Sequence, residues 1–295
     1  MNTEKINLSY VLATYNKLPY LKTALDRLIK NKKADEEILV IDGGSKDGTA
    51  EYLEKLKKDG HIDYVSEPDY GEAHADNKGF NLARGEIIKI ITDDDAFYYP
   101  GIDECKKFML ENPEIDLLST DGIKRRPDPI YPFSTMLHQN KFNTWKRKHT
   151  PFVFCGLGLM IRKSSLPLLG FLDTTYARVD AEYALRVTAG KGKIAWYAHE
   201  CFAHIRNVNS NSYTQEKRIK EEQEKLDALY FPEKFYLPLK QKLRSYIEKF
   251  LGLNKPKTVS TDSAEVQLEQ WVELFETSEK WLSENGRKNK GQFLQ

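Results

Sequence analysis

Cysteine is scarce in this chain, and long apolar runs are missing. The three cysteines, Cys105, Cys155 and Cys201, are widely spaced and do not form a zinc pattern. Few and scattered cysteines suit a reducing compartment. No apolar segment approaches the about 20 residues that span a bilayer, and the first residues lack the pattern of a signal peptide. We therefore expect a cytoplasmic protein, either soluble or attached peripherally to the inner face of the membrane.

A large charge of one sign is missing as well. The 45 Lys and Arg residues nearly balance the 44 Asp and Glu residues, so the formal net charge is +1. A nearly neutral chain has no general attraction for a polyanion, and no nucleic-acid-binding motif is recognised. Hydrophobic residues make up 40% of the chain, which is enough for a sizeable core. We expect a globular protein that does not bind nucleic acid.

The first part of the chain alternates regularly between strand and helix patterns. Strands are predicted at residues 8–13, 37–41, 62–66 and 87–91, and helices at residues 20–30, 50–58 and 73–83. Such alternation with short loops is typical of a parallel sheet with right-handed crossovers and helices on both faces. The fold class predicted from the pattern is therefore α/β.

The pattern is less regular after Pro100 and Gly101, which are expected to break the chain. The elements predicted there are a helix at 102–110, a strand at 115–119, an irregular insertion at 120–151, a glycine-interrupted strand at 152–162, short helices at 164–169 and 181–189, and a last strand at 193–196. Charged helices follow at 213–229, 236–251 and 264–284, with a polar linker at 254–263. We predict one α/β domain over residues 1–206 and a helical C-terminal extension over residues 207–295.

Three aspartates follow directly after the strand predicted at residues 87–91. Asp93, Asp94 and Asp95 repel one another unless a cation lies among them. In an open α/β sheet, ligands bind at the carboxyl ends of the strands. A divalent cation held by these hard oxygen ligands and shared with a phosphate group would explain the placement. The alternative is a solvated turn, because aspartate is common in turns and at helix N-caps.

Two other predicted strands also end in polar loops. Thr14 and Tyr15 follow the first strand, and Asp42 follows the second, before Gly43. Because parallel strands end at one edge of the sheet, we expect these loops to converge on the aspartates. An aromatic face, a carboxylate and a bound cation together suit the base, the ribose and the phosphates of a nucleoside diphosphate.

Four segments of the chain, in this order, resemble the family 2 glycosyltransferases with the GT-A fold. They are SYVLATYNKLPYLKTAL, EILVIDGGSKDGT, SEPDYGEAHADNKGFNLARGEIIKIITDDD and GFLDTTYARVDAEYALR, and the resemblance covers roughly residues 8–206. It implies a catalytic domain that transfers a hexosyl or N-acetylhexosaminyl group from a nucleotide-sugar, usually UDP-linked, to a hydroxyl acceptor. It also implies Mn²⁺ or Mg²⁺, inversion at the anomeric carbon and a role in surface polysaccharide or glycan assembly of the bacterial type.

The resemblance implies roles for particular residues of this sequence. The donor-binding residues it implies are Thr14, Tyr15, Asp42, Asn77, Lys78, Asp93 and Asp94. The metal ligands it implies are Asp95, Asp93 and His204, with Asp94 as an alternative because the triplet allows two registers. Asp180 matches the general base. The competing interpretations are an N-cap for Asp180, a turn residue for Asp42 and a structural histidine for His204.

The sequence departs from the family pattern at three positions. Gly43 stands where many members have a second aspartate, Thr92 where the acidic tetrad often starts, and Val179 where glutamate usually precedes the catalytic aspartate. The Gln-x-x-Arg-Trp motif of processive synthases and their membrane helices are missing. The resemblance therefore implies the addition of one sugar, or a few, to a glycan or lipid-linked glycan.

Two questions stay open from the sequence. The amphipathic helix at residues 236–251 suits either an anionic membrane surface or docking on the catalytic domain, and the last helices suit an oligomer contact. The alternative functions are a non-catalytic nucleotide-sugar- or glycan-binding relative and a sugar-phosphate nucleotidyltransferase. The latter needs a glycine-rich basic loop after the first strand, and Thr14-Tyr15-Asn16 is not such a loop.

Overall fold

A computed structural model describes residues 5–126, 133–206, 215–232 and 264–295. The predicted amphipathic helix at 236–251 and the predicted linker at 254–263 lie outside the described residues. Within the described residues, no helix is both long and apolar enough to cross a bilayer. The predicted cytoplasmic location, membrane contact and oligomer contact therefore stay predictions.

The helices and strands of the described residues alternate through most of the chain. The strands are β1 (Leu8–Thr14), β2 (Glu36–Asp42), β3 (Asp63–Ser66), β4 (Ile87–Ile91), β5 (Ala96–Phe97), β6 (Leu117–Arg125), β7 (Phe133–Met136), β8 (Met160–Arg162), β9 (Ile194–Ile205) and β10 (Gln292–Leu294). The helices are α1 (Leu18–Asn31), α2 (Thr49–Lys58), α3 (Glu72–Leu82), α4 (Tyr99–Glu111), α5 (Gln139–Lys148), α6 (Leu166–Leu169), α7 (Val179–Ala189), α8 (Glu216–Tyr230) and α9 (Ala264–Lys288), with 3-10 turns at Gly156–Gly158 and Lys163–Ser165.

One mixed sheet contains the ten strands of the described residues. Its order is β10-β9-β6-β8-β4-β1-β2-β3, with β5 also paired to β9 and β7 to β6. The neighbours β4, β1, β2 and β3 run parallel, whereas β8 lies antiparallel between β4 and β6. Hydrophobic clusters cover both faces of the sheet. The predicted α/β sheet flanked by helices is confirmed, with antiparallel strands added on the β8 side.

The central strand β4 is buried along its whole length. Its isoleucines alternate between the clusters on the two faces, with Ile87 and Ile91 in one and Ile88 and Ile90 in the other. Lys89, at the centre of the strand, is its one charged residue. Its Nζ donates to the main-chain oxygen of Leu157 and, at 3.4 Å, to that of Leu159. Burial lowers the pKa of Lys89 to about 8. Lys89 thus ties the Gly156–Gly158 turn to the middle of β4, the strand that leads to the aspartates.

Several elements differ from those predicted. Pro100 does not break the chain but lies in the first turn of α4, where a missing N–H costs no helical hydrogen bond. The expected irregular insertion at 120–151 includes the end of β6, strand β7 and helix α5. The strand expected at 152–162 shortens to β8, because its glycines form a 3-10 turn instead. The strand expected at 193–196 is the start of β9, which continues to Ile205 along β6.

The last described segment packs on the sheet. Strand β10 adds antiparallel to β9, with Gln292 opposite Ala198. In α9, Trp271 is buried and its Nε1 donates to the main-chain oxygen of Asp94 at 2.9 Å. The Trp271 ring also meets the ring of Tyr20 edge-on, at 4.8 Å between centroids. Residues 264–295 thus touch the aspartate loop directly, and the division of the chain at residue 206 stays a prediction.

Candidate active site

The strand ends converge at one edge of the sheet, as the sequence predicts. Thr14 at the end of β1 lies opposite Asp42 at the end of β2. Near the end of β4, Ile91 lies opposite Leu12 of β1. The hydroxyl of Thr14 donates to Oδ2 of Asp93 at 2.8 Å. The loop after β4 is therefore tied to the end of β1 by a buried hydrogen bond.

The aspartate triplet is almost completely buried. The exposed fractions of Asp93, Asp94 and Asp95 are 4%, 8% and 3%. Lys17 bridges the first two, with its Nζ 3.1 Å from Oδ1 of Asp93 and 2.7 Å from Oδ2 of Asp94. Burial raises the pKa of Asp93 to about 7, although the Lys17 charge opposes the rise. When both are ionised, Asp93 and Asp94 carry one more formal charge than the single ammonium of Lys17, which favours binding of a further cation.

Asp95 connects the ends of two strands. Its Oδ1 accepts from the main-chain N–H of Ile205 at 2.6 Å and lies 3.2 Å from Nδ1 of His204. Its Oδ2 accepts from the hydroxyl of Thr92 at 2.8 Å. Burial acts to lower the pKa of His204, but the adjacent Asp95 carboxylate raises it overall. Both carboxylate oxygens of Asp95 are thus engaged with groups of β9 and its own loop.

Asp42 is fully buried beneath its loop. Its carboxylate accepts from the N–H and hydroxyl of Ser45 and from the hydroxyl of Ser66. These bonds fold the Gly43–Ser45 segment over the end of β2. The base-contact role of Asp42 stays a prediction, and the contacts favour a role in shaping the loop.

Tyr15 and Asp69 flank Gly43, directly after the end of β2. The Tyr15 side chain is 58% exposed, so its ring is available at the surface. A Cβ added to Gly43 would lie 3.2 Å from Cδ2 of Tyr15 and 2.8 Å from Oδ2 of Asp69. The Asp69 carboxylate therefore occupies the space beside Gly43 where many family members carry an aspartate side chain. The sequence analysis missed Asp69, although it lies within the SEPDYG segment.

Asn77 and Lys78 hold loops together. The Asn77 amide donates to the main-chain oxygen of Leu172 at 2.8 Å and accepts from the Leu172 N–H at 2.9 Å. Lys78 pairs with Glu67, at 2.6 Å between Nζ and Oε1. Asn77 thus ties α3 to the segment that leads to α7. The predicted donor-binding roles of both residues stay predictions.

Asp180 lies in the first turn of α7 and is half-buried. Among the described residues, no hydrogen bond or ion pair engages its carboxylate. A Cβ added to Gly156 would lie 3.4 Å from Cβ of Asp180. Burial raises the pKa of the neighbouring Cys155 thiol, and the charges of Asp180 and Asp95 raise it further. Asp180 and Asp95 are therefore both near Cys155, and Asp180 lies directly beside Gly156.

The loop before α7 is held by α8. The buried carboxylate of Glu222 accepts from the main-chain N–H of Ala177 at 2.9 Å and of Arg178 at 3.0 Å. Arg218 donates to Glu222 at 2.8 Å and to the main-chain oxygen of Thr175 at 2.7 Å. The sequence analysis missed these residues, because Arg218 and Glu222 at spacing i,i+4 look like a solvated helical pair.

A match to a known protein family covers strands that carry this site. The model of the glycosyl transferase family 2 matches residues 9–167, more than half of the chain. The chain belongs to this family. The matched region includes the strand ends at Thr14 and Asp42 and the aspartate triplet. The family resemblance predicted from the sequence is therefore confirmed.

Relatives within the family match over part of their length. A poly-beta-1,6-N-acetyl-D-glucosamine synthase of Staphylococcus epidermidis is 26% identical over 178 residues, which are 57% of this chain and 42% of the relative. An uncharacterized glycosyltransferase of Rickettsia felis is 35% identical over 104 residues, which are 35% of this chain and 17% of the relative. The chain thus spans less than half the length of these curated relatives.

Solved structures share the fold at low sequence identity. S. aureus TarS in complex with UDP-GlcNAc aligns with a TM-score of 0.55 at 15% identity, over 70% of this chain and 60% of that one. The mannosyltransferase PcManGT from Pyrobaculum calidifontis, in complex with GDP-Man and Mn²⁺, aligns with a TM-score of 0.54 at 18% identity, over 95% of this chain and 88% of that one. The predicted GT-A fold is confirmed.

The carboxylate oxygens of Asp93 and Asp94 are ligands of the kind that a divalent cation such as Mg²⁺ prefers. Within the described ranges, no three His, Cys, Asp or Glu side chains group as a metal site. Such ions are commonly held by one or two carboxylates together with substrate phosphates. The buried carboxylates of Asp93 and Asp94 supply two such ligands and carry one more formal charge than Lys17, which lies between them. The metal roles of Asp95 and His204 stay predictions.

Proposed function

We propose that this chain transfers a sugar from a nucleotide-sugar to a hydroxyl group of a glycan, with a divalent cation and with inversion at the anomeric carbon. The proposal is supported by two buried carboxylates, Asp93 and Asp94, at the strand ends and by the Asp180 carboxylate beside Gly156, which no hydrogen bond or ion pair of the described residues engages. Asp93 and Asp94 suit a cation and a diphosphate, and Asp180 suits a proton acceptor.

The donor side combines stacking and hydrogen bonding. The exposed ring of Tyr15 offers a face for the base, and Asp69, in the space beside Gly43, offers a carboxylate to the base or the ribose. A UDP-linked sugar is supported by the TarS structure, whose ligand is UDP-GlcNAc. A GDP-linked sugar is the second candidate, because PcManGT holds GDP-Man with Mn²⁺.

The chemistry needs one displacement at the anomeric carbon. Asp180 accepts the proton of the acceptor hydroxyl as the new glycosidic bond forms, which makes this poor nucleophile reactive. A cation bound at Asp93 and Asp94 would neutralise charge on the departing diphosphate. Inversion follows from the single displacement, since no second carboxylate nucleophile is needed on the other face of the sugar.

The test is a donor screen followed by a turnover assay. UDP- and GDP-sugars are screened by thermal shift with Mn²⁺, and nucleotide release is then measured for the donors that stabilise the chain. We expect one donor to stabilise the chain and to release its nucleoside diphosphate. Binding without release, even with oligosaccharide acceptors present, would favour a non-catalytic nucleotide-sugar-binding relative. Release of pyrophosphate from a nucleoside triphosphate would favour a nucleotidyltransferase.

The register of the metal motif gives a separate prediction. We expect Asp94→Asn to abolish the Mn²⁺ dependence of UDP binding, measured by calorimetry, because a neutral amide is a poor ligand for a hard cation. Asp95→Asn should keep most of that dependence, since its remaining oxygen can still accept from Ile205. Loss of the dependence in Asp95→Asn alone would instead support the register that includes Asp95.

A further inference from the structure

A cavity of about 500 Å³ lies between α5 and α8, outside the site described above. Its volume is within the range of small-ligand pockets. The side chains that matter for its chemistry are Asn140, Lys141, Thr144, Gln223, Asp227 and Phe231. Residues 150–153, between α5 and the Gly156–Gly158 turn, form another part of its wall.

The cavity adjoins the proposed base. Val153 lines it and packs against Ala181 and Leu185 of α7, the helix that begins beside Asp180. Three residues further along the chain, a Cβ added to Gly156 would lie 3.4 Å from Cβ of Asp180. Three residues of chain span at most about 11 Å. A ligand in the cavity therefore lies a short distance from the place where the proton is removed.

The lining combines neutral polar side chains with the apolar residues at 151–153 and Phe231, which suits a sugar ring with both hydroxyl groups and an apolar face. Amide groups and a hydroxyl can both donate and accept hydrogen bonds, which matches sugar hydroxyls. The aromatic side chain of Phe231 gives an apolar surface for the C–H face of a ring. The two charged residues, Lys141 and Asp227, have opposite signs. A phosphate or pyrophosphate group would need an excess of positive charge, which this lining does not supply.

Helix α8 links the cavity wall to the base. Gln223 lines the cavity, and its side-chain oxygen accepts from Nη1 of Arg178, two residues before Asp180. The same amide donates to Oδ1 of Asp227 at 2.9 Å. Because Glu222, the preceding residue, holds the main chain of Ala177 and Arg178, one helix positions both the cavity wall and the base.

We propose that this cavity binds a sugar ring of the glycan acceptor, next to the ring whose hydroxyl reacts. The inference rests on the proposed function, because it takes Asp180 as the group that activates the acceptor. It goes further in assigning the acceptor to an oligosaccharide of at least two rings. The cavity then selects oligosaccharides over monosaccharides, since a single ring at Asp180 leaves it empty.

The test measures how acceptor length affects transfer. Mono-, di-, tri- and tetrasaccharides of N-acetylglucosamine and of mannose are offered to the full chain, with UDP-GlcNAc and with GDP-mannose as donors. Lys141→Trp and Asn140→Trp place a bulky ring at exposed positions of the cavity mouth. Lys146→Trp is the matched control, because Lys146 is exposed on the same helix outside the lining.

The expected result is a KM that falls about tenfold from the mono- to the trisaccharide in the wild type and in Lys146→Trp. The fall should disappear in both lining variants, while their donor hydrolysis without acceptor stays unchanged. A dependence on length that persists in the lining variants, or no dependence in the wild type, would overturn the inference. Donor hydrolysis with no transfer to any oligosaccharide would also overturn it and leave donor chemistry intact. No donor hydrolysis at all would contradict the proposed function itself.

Discussion

Replacing Asp180 with asparagine is expected to abolish most sugar transfer while leaving donor binding unchanged. The amide has nearly the same shape as the carboxylate but cannot take the proton of the acceptor hydroxyl. Removal of a general base typically costs about 10²–10⁴-fold in rate. Among the described residues, no hydrogen bond or ion pair engages the Asp180 carboxylate, so the substitution breaks no such contact and the fold should be retained.

The measurement is the rate of nucleotide release with acceptor present, together with donor affinity from calorimetry. Asp173→Asn is the matched control, because Asp173 lies in the loop before α7 and its amide oxygen could still accept from the Thr175 N–H. We expect the control to transfer at close to the wild-type rate. If Asp180→Asn also transferred at that rate, another group would be the proton acceptor and the base assignment would be wrong.

Replacing Glu222 with alanine is expected to lower kcat by about 10²-fold, the size of loss that follows a misplacement of about 1 Å in an active site. The Glu222 carboxylate is the acceptor for two main-chain N–H groups directly before α7 and for the guanidinium of Arg218. Without it these donors lose their partner, and the loop that leads to Asp180 is free to shift. We therefore expect Glu222 to be a positioning residue that acts through Asp180.

The test compares Glu222→Ala with Glu222→Gln and with Glu221→Ala. The glutamine variant keeps an oxygen that can accept one of the N–H groups, so we expect it to regain part of kcat. Glu221 is exposed on the same helix, and its replacement should leave kcat unchanged. The KM for the donor should stay the same in all three variants. A lower melting temperature with unchanged kcat for Glu222→Ala would mean that α8 serves stability alone.

The parts of the fold that the sequence predicts well are those with strong local patterns. The buried run of β4 and the short polar loops after β1 and β2 predict parallel strands ending at one edge, and the structure agrees. Local patterns gave wrong element boundaries at proline and glycine, because these residues occur both at breaks in regular structure and at the starts of helices or in 3-10 turns. Pro100 lies in the first turn of a helix instead of breaking the chain before it, and Gly156 and Gly158 form a 3-10 turn instead of interrupting a strand.

Contacts between residues far apart in the chain could not be predicted from the sequence. Lys89 interrupts an apolar strand, and only the neighbouring turn shows that its charge is met by main-chain oxygens. Trp271 lies 177 positions from Asp94, whose main chain it contacts. Glu222 lies 45 positions from Ala177. Pairings of this kind depend on how α8 and α9 pack, and no local period encodes them.

The sequence by itself determined the alternating α/β architecture, the position of Asp93, Asp94 and Asp95 at a strand end, and the membership of a glycosyltransferase family. These features depend on the spacing of apolar residues and on the order of short motifs, which are local properties of the sequence. Only the tertiary structure decided how the aspartates divide their contacts: Asp93 and Asp94 share Lys17, whereas both oxygens of Asp95 are engaged by Thr92, His204 and Ile205. It also decided that Asp69 lies beside Gly43 and that α8 holds the loop before Asp180. The reason is physical: a carboxylate's charge and availability depend on the donors that surround it in space, and those donors come from segments far apart in the chain.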